Sequence, residues 1–226
     1  MFCLLELRET LCTHAIQAAI DKAGVQGGEV RFPSGTYLTG TLILKDNVTL
    51  NLERGAVLLG STRLEDYPPT PSRYISHINR YTHSCLIYAE GVKNIAIKGE
   101  GIIDGQGTHL NFKADENDVL KSILRRPYII RAVSCEQIKV SGITLKNSPA
   151  WMQHYLDCTN ILVDGITVLN HGNYNNDGID IDNCKNVRIV NSNFDTDDDA
   201  ICFKTTNATG KCENVVVANC IIASNC

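Results

Sequence analysis

A short phrase recurs along this chain at a spacing that few folds can use. Six segments open with Asn or Gln and continue in alternating aliphatics: Asn47–Leu50, Asn94–Ile97, Gln137–Val140, Asn160–Val163, Asn186–Ile189 and Asn214–Val217. Their starts differ by 47, 43, 23, 26 and 28 residues. The last three intervals are single units and the first two are double, so the period lies in the twenties, shorter than most helical repeats. Alternation marks each phrase as a strand with one inward face. Short strands at that period predict a solenoid of stacked coils.

Aligning the phrases exposes columns. Ile97, Val140, Val163, Ile189 and Val217 share one inward position. Two places on stand Gly99, Gly142, Gly165, Asn191 and Asn219, the residue types that tolerate positive φ, which predicts the turn from one face of a coil to the next. Ile102, Leu145, Val168, Phe194 and Ile222 then form a second expected inward column. Identical side chains laddering about 4.8 Å apart are the mark of a parallel β-helix. The expected fold is therefore all-β: one right-handed parallel β-helix with a short N-terminal capping helix. It reads as a single incomplete domain over residues 1–226, with the helix at 13–24 and coils over 28–226. Cys135, Cys158, Cys184 and Cys212 fall two residues before the leading Asn or Gln and predict a ladder of buried, reduced thiols inside the solenoid.

The rest of the chain fits around that scaffold. Thr13 is placed to cap a helix with Ile16 and Ile20 on one face and Gly24 closing it. Residues 63–83 and 108–126 are polar, break the repeat, and read as insertions on the coil surface, either walls of a groove or plain loops. At 226 residues, 43% hydrophobic and 20% charged, the chain suits one core-forming domain. No apolar run nears the roughly 18 residues of a membrane helix, and a net charge of −4 gives no broad cationic face for nucleic acid. Neither membrane nor nucleic acid is expected as a partner. The ten cysteines contain no CxxC pair, so neither a zinc site nor a cofactor is expected. Residues 1–12 interrupt their apolar letters with Glu6, Arg8 and Glu9, unlike a signal peptide.

Chemistry concentrates in two aspartate-rich stretches, Asn175–Asp182 and Asp195–Phe203. Matching the inward pair Ile179 and Ile181 with Ile201 and Phe203 puts Asp177 over Asp199, 22 residues on, with Asp198 beside them. Three carboxylates then meet on one face. Like charges stacked so closely raise at least one pKa, which is how a general acid stays protonated near neutral pH. Adjacent residues of a strand point to opposite faces, so Asp198 and Asp199 both reach the groove only if a bend or bulge intervenes.

These stretches resemble the Asn-Thr-Asp-Gly and Asp-Asp-Cys-Ile motifs of the polygalacturonase family of glycoside hydrolases, family 28, at Asn175–Gly178 and Asp198–Ile201. The phrases Phe32–Tyr37, Gly101–Gly107 and Asn147–Trp151 are similar to other family segments, in the same order along the chain. The resemblance implies inverting hydrolysis of a pectic polysaccharide or oligosaccharide, in a secreted or periplasmic setting. By that resemblance Asp198 protonates the leaving oxygen, while Asp177 and Asp199 hold and activate water. Asn175 and Lys204 are the implied substrate contacts, with Lys204 meeting a uronate carboxylate or standing as a solvated coil-edge charge.

Departures qualify the resemblance. Asp197 replaces the motif's glycine and Asn176 its threonine. The later Gly-His-Gly and Arg-Ile-Lys segments have no counterpart, and His83, His154 and His171 read as coil-edge or loop residues. The chain is therefore expected to be a fragment with little hydrolase activity of its own. Two other readings compete. A calcium-dependent lyase would use Asp195, Asp197, Asp198 and Asp199 as oxygen ligands, but needs an arginine base, and Arg188, the only arginine nearby, points outward from another face. A non-catalytic carbohydrate-binding or structural β-helix is the other. Oligomeric state is left open.

Overall fold

The computed structural model describes residues 2–3, 10–77, 84–108, 110–112 and 125–226. Residues 78–83, which include His83, and most of the second insertion, residues 109 and 113–124, lie outside them. The described chain winds as a right-handed parallel β-helix, each coil laying one strand on each of three sheets of eight, seven and six strands. In the coil that opens at Asn160 these strands are Thr159–Asp164, Thr167–Asn170 and Asp180–Asp182. Every strand pair is parallel, as in Val140 opposite both Ile97 and Val163, and Val163 opposite Ile189.

The first inward column holds in register, with Val140, Val163 and Ile189 fully buried, but Val217 is 40% exposed, and Ile222 of the second column is 51% exposed. The turn column holds as well: φ is +122° at Gly99, +75° at Gly142, +65° at Gly165 and +55° at both Asn191 and Asn219. Unanticipated is a second column of left-handed residues, the leading Asn and Gln themselves, from Asn47 at +60° to Asn214 at +55°. Their amides ladder on the outside, Asn186 donating to Asn160 and Asn214 to Asn186 at 3.0 Å each. Asparagine thus serves twice, tolerating the turn and pairing with its copy one coil away.

One member of the second column is corrected. Leu145 stands opposite Ile103, not Ile102, and Ile103 is the fully buried residue. That corner contains one extra residue, where the amides of Glu100 and Gly101 both donate to the Leu52 carbonyl, at 2.9 and 3.0 Å. Such a bulge flips the alternation beyond it.

The N-terminal helix spans Thr13–Gln26 and buries Ile16, Ala19, Ile20 and Ala23 against the first coil. Its bounds differ from expectation at both ends. Cys12 is the N-cap residue, because the Thr13 hydroxyl instead accepts the Gly40 amide at 2.8 Å. Gly24 lies inside the helix, packed so closely that a Cβ would meet the Lys45 Cβ at 2.7 Å, and Gly27 at φ +78° closes it.

The first insertion is a packed wall. Thr70 and Ser72 accept hydrogen bonds from Arg131 at 3.2 and 3.3 Å, and Tyr74 packs on a second apolar cluster that includes Cys85, Tyr88, Tyr128, Trp151 and Leu156. In the third sheet the strands Tyr128–Val133 and Gln153–Leu156 are consequently buried on both faces, whereas Glu136–Ser141 of the first alternates between core and solvent. Farther on, the His77 amide donates to the Thr206 carbonyl and the Asn207 side chain to the Ile75 carbonyl.

The thiol ladder is present. The Cys135 amide donates to the Cys158 Sγ at 3.4 Å and the Cys158 amide to the Cys184 Sγ at 3.3 Å; the nine cysteines from Cys12 to Cys226 are free thiols. Cys135, Cys158 and Cys184 are buried, but Cys212 is half-buried. A thiol reagent applied to the native protein should therefore label Cys212 and spare those three until unfolding; rapid native labelling of Cys158 would contradict the ladder. Leu145→Ala should cost about 2–5 kcal/mol in denaturant unfolding, the range for emptying a fully buried leucine site.

Candidate active site

Two successive coils bring the aspartates together at the corner between the second and third sheets. One runs from Thr167–Asn170 through 171–179 into Asp180–Asp182; the next runs from Asn193–Thr196 through 197–201 into Cys202–Lys204. Asp180 pairs with Cys202 and Ile181 with Phe203, which sets Asp177 level with Asp199. The Gly178 amide donates to the Asp199 carbonyl at 2.8 Å. Only glycine permits that approach, since a Cβ at 178 would sit 2.5 Å from the Ala200 carbonyl oxygen. Residues 197–201 are bends rather than strand, which supplies the break that lets Asp198 and Asp199 turn together. Their carboxylates come within 4.8 Å of each other.

Asp177 is 3% exposed. Its carbonyl is held by the Met152 amide at 2.9 Å and by Asn170 Nδ2 at 3.1 Å. Oδ1 has no hydrogen-bond partner, and Oδ2 lies 3.7 Å from the Lys204 ammonium. Burial pushes this carboxyl up to about 7; Lys204 pulls against it, and the charges of Asp198 and Asp199 add to the rise. Asp198 is half-buried and Asp199 exposed. The Asp198 carbonyl accepts from the Thr196 and Ser224 hydroxyls at 2.6 and 2.8 Å, and its Oδ1 accepts the Asp199 amide at 2.9 Å.

Sequence reasoning missed Asp180. It lies fully buried behind Asp177, and Lys204 Nζ is 2.8 Å from Oδ1. The contact is an ion pair without hydrogen-bond alignment, so neither Asp180 oxygen has a hydrogen-bond partner. Burial first, and then Asp177, hold this carboxyl well above the carboxylate range. Lys204 is not the solvated edge charge that was one expectation. Its side chain is 19% exposed, with Nζ 3.0 Å from the Cys202 Sγ and 4.6 Å above the Trp151 ring. Burial opposes its charge, but Asp180, Cys202 and Asp177 together outweigh burial and keep it protonated.

Asn175 has φ of +54° and accepts from Arg126 Nη2 at 2.9 Å. Arg126 is buried and also bonds the Pro149 and Tyr174 carbonyls. Arg126, 49 residues before Asn175, is thus an arginine that reaches this corner, whereas Arg188 is exposed on a strand of the first sheet. Asn176 is buried, donating to the Ser148 carbonyl and Asn170 Oδ1 at 3.0 Å each and accepting the Asn173 amide.

His154 is not at a coil edge. It is a fully buried strand residue, edge-on to Trp151 and Tyr128 and 3.4 Å from Asp182. Burial pulls it down to about 4. Burial pushes Asp182 upward, but its bonds to His154 and Thr206 prevail and hold it below the usual range. His171 is a half-exposed loop residue, as expected, flanked by Asp195 and Asp197. Two of the four oxygen ligands of the lyase reading are thus engaged with an imidazole. Among the described residues, the one group with metal-ligand proximity is Asp198, Asp199 and Cys226, two carboxylates with a soft thiol and largely exposed, which does not make a hard-cation cage.

Residues 29–223 match the family model described as glycosyl hydrolases family 28. The chain is 37% identical over 209 residues to a Vitis vinifera protein named probable polygalacturonase, covering 87% of this chain and 42% of that one. It is 30% identical over 238 residues to the exo-poly-α-D-galacturonosidase of Dickeya chrysanthemi, covering 86% and 39%. The structure of a family 28 exopolygalacturonase from Yersinia enterocolitica superposes with a TM-score of 0.80 at 27% identity, over 96% of this chain and 46% of that one. The chain thus spans less than half the length of each of these three relatives.

A carboxyl whose folded pKa stands near 7 binds more protons folded than unfolded between about pH 4 and 7, so it costs stability as pH rises through that window. Asp177→Asn removes the cost. The variant should melt higher than wild type at pH 8, with the gain shrinking toward pH 4.5, as thermal scans at the two pH values would show. Equal melting shifts at both would refute the raised pKa.

Proposed function

The chain belongs to glycosyl hydrolase family 28, and on that premise we propose that its aspartate corner hydrolyses glycosidic bonds of a pectic polysaccharide. The observation carrying this reading is the stacked carboxylate set: Asp177 buried at the root, with Asp198 and Asp199 at the more exposed turn one coil on. Inverting hydrolysis needs one carboxyl to protonate the leaving oxygen and another to take a proton from water on the opposite face of the sugar. Asp198 is the proton donor in this proposal. Asp177 and Asp199 hold and activate the water, and a base with a pKa near 7 is well matched to that task.

The substrate class follows from the names of the relatives, which act on or are named for polygalacturonate, and from Lys204, whose cation partly offsets the aspartates that an anionic sugar must approach. Asn175, held at the lip by Arg126, and Lys204 are the substrate contacts in this reading. No helix among the described residues is long and apolar enough to cross a membrane. A secreted or periplasmic setting goes with that substrate class in this reading.

The test is incubation of the purified chain with polygalacturonate, counting new reducing ends and following the first-formed anomer by NMR. The reading expects this chain, which spans less than half of those relatives, to release reducing ends slowly and with inverted configuration, and Asp198→Asn, which keeps its fold, to release them at least about a hundredfold more slowly still. Unsaturated sugar ends would assign an elimination instead. An Asp198→Asn rate above about a tenth of wild type would remove Asp198 from the acid role.

A further inference from the structure

His171, Asp195 and Asp197 form a charged cluster that the hydrolytic roles leave unused. The His171 Nδ1 is 2.8 Å from Asp197 Oδ1, and its Nε2 is 3.2 Å from Asp195 Oδ1. A neutral imidazole carries one N–H and cannot donate to both carboxylates; an imidazolium can. The other Asp197 oxygen, Oδ2, accepts the Gly172 amide at 2.8 Å, and Oδ1 also accepts from Asn225 Nδ2 at 2.9 Å. Asp197, which stands where the resembling motif has glycine, therefore ties three consecutive coils at one point.

That point is the root of the site. The register offset between these coils is 26 residues at Asn170 and Thr196 but 22 at Asp180 and Cys202. The loop beginning at His171 is thus four residues longer than the turn beginning at Asp197, yet Asp177 and Asp199 come back into step. A longer loop over a shorter turn has slack, and slack at this corner would shift Asp177 relative to Asp198. His171 and Gly172 are the first two residues of the longer loop, and Asp197 is the residue preceding Asp198.

We propose that Asp197 and His171 are positioning residues, a charged clasp that fixes the long loop carrying Asp177 to the turn carrying Asp198 and Asp199, closed while His171 is an imidazolium and loosened when it is neutral. The proposal rests on the hydrolytic reading for its consequence in catalysis, but not for the clasp itself. Asp195 from the second-sheet strand and Asp197 from the turn are the charged groups facing the ring, with neutral Asn225 on the far side of Asp197. Their bonds raise the His171 pKa, Asp197 contributing most and burial opposing. A raised histidine pKa stabilises the folded form at lower pH, and that contribution is lost as pH rises through the raised value.

Two measurements separate the clasp from the activity. NMR titration of His171 in this chain should give a pKa above the ordinary histidine value of about 6.5, falling in Asp197→Asn and again in Asp195→Asn. In Asp197→Gly the Gly172 amide should exchange with solvent at least tenfold faster, while core amides such as Val163 stay unchanged. An ordinary or depressed His171 pKa, or a Gly172 amide indifferent to Asp197→Gly, overturns the clasp whether or not the chain is active. Where the wild-type chain yields reducing ends, Asp197→Gly should lower kcat by about tenfold or more with KM little changed, the signature of misplaced reacting groups. A matching kcat overturns the positioning role. A wild-type chain without turnover defeats the hydrolytic reading and leaves the first two measurements to decide the clasp.

Discussion

Parallel pairing between coils is the interaction on which everything else in this molecule depends. Because each strand hydrogen-bonds to the strand one turn away, a residue's position on the surface is set by register, and side chains far apart in sequence are laid over one another at about 4.8 Å. The aliphatic columns, the asparagine ladder, the cysteine ladder and the aspartate corner are four expressions of the same rule. Where register is interrupted, as at Glu100 and Gly101 sharing the Leu52 carbonyl, the inward face moves by one residue.

Register also explains what the sequence made legible. The inward column, the turn column, the thiol ladder and the level placement of Asp177 and Asp199 all repeat at coil spacing, so alignment of the chain on itself finds them. The choice of Ile102 over Ile103 failed because an inserted corner residue leaves no trace in a pattern where both neighbours are isoleucine. The helix closure failed at Gly24 because glycine there answers a close approach to Lys45 and not a backbone turn. Arg126 and the insertion over the third sheet were out of reach for another reason. Their contacts join segments without periodic relation, and charge and polarity alone do not say which groove a loop will cover.

The site itself is a compromise between stability and chemistry. Asp177 and Asp180 are two buried carboxyls that share a single ammonium, and burial pushes both toward the protonated form. Lys204 is held by both and rests on Trp151, so its position is determined even though its side chain is long. Asp180 gains nothing visible from hydrogen bonding. Its burial makes sense as the anchor that keeps Lys204 under Asp177, a use of charge that raises the local energy while ordering the group beside it.

The wall formed by residues 63–77 changes how such a molecule comes apart. A bare solenoid is close to a one-dimensional chain of links, each coil stabilised only by its neighbours and free to peel from either end. Here Ser76 and Thr206 share a hydrogen bond across 130 residues of sequence, and Arg131, midway along, is fastened to the same strap. The strap runs lengthwise across the turns like a hoop's tie bar. Loss of an outer turn therefore requires loosening the middle ones, and unravelling by single turns gives way to a more concerted opening.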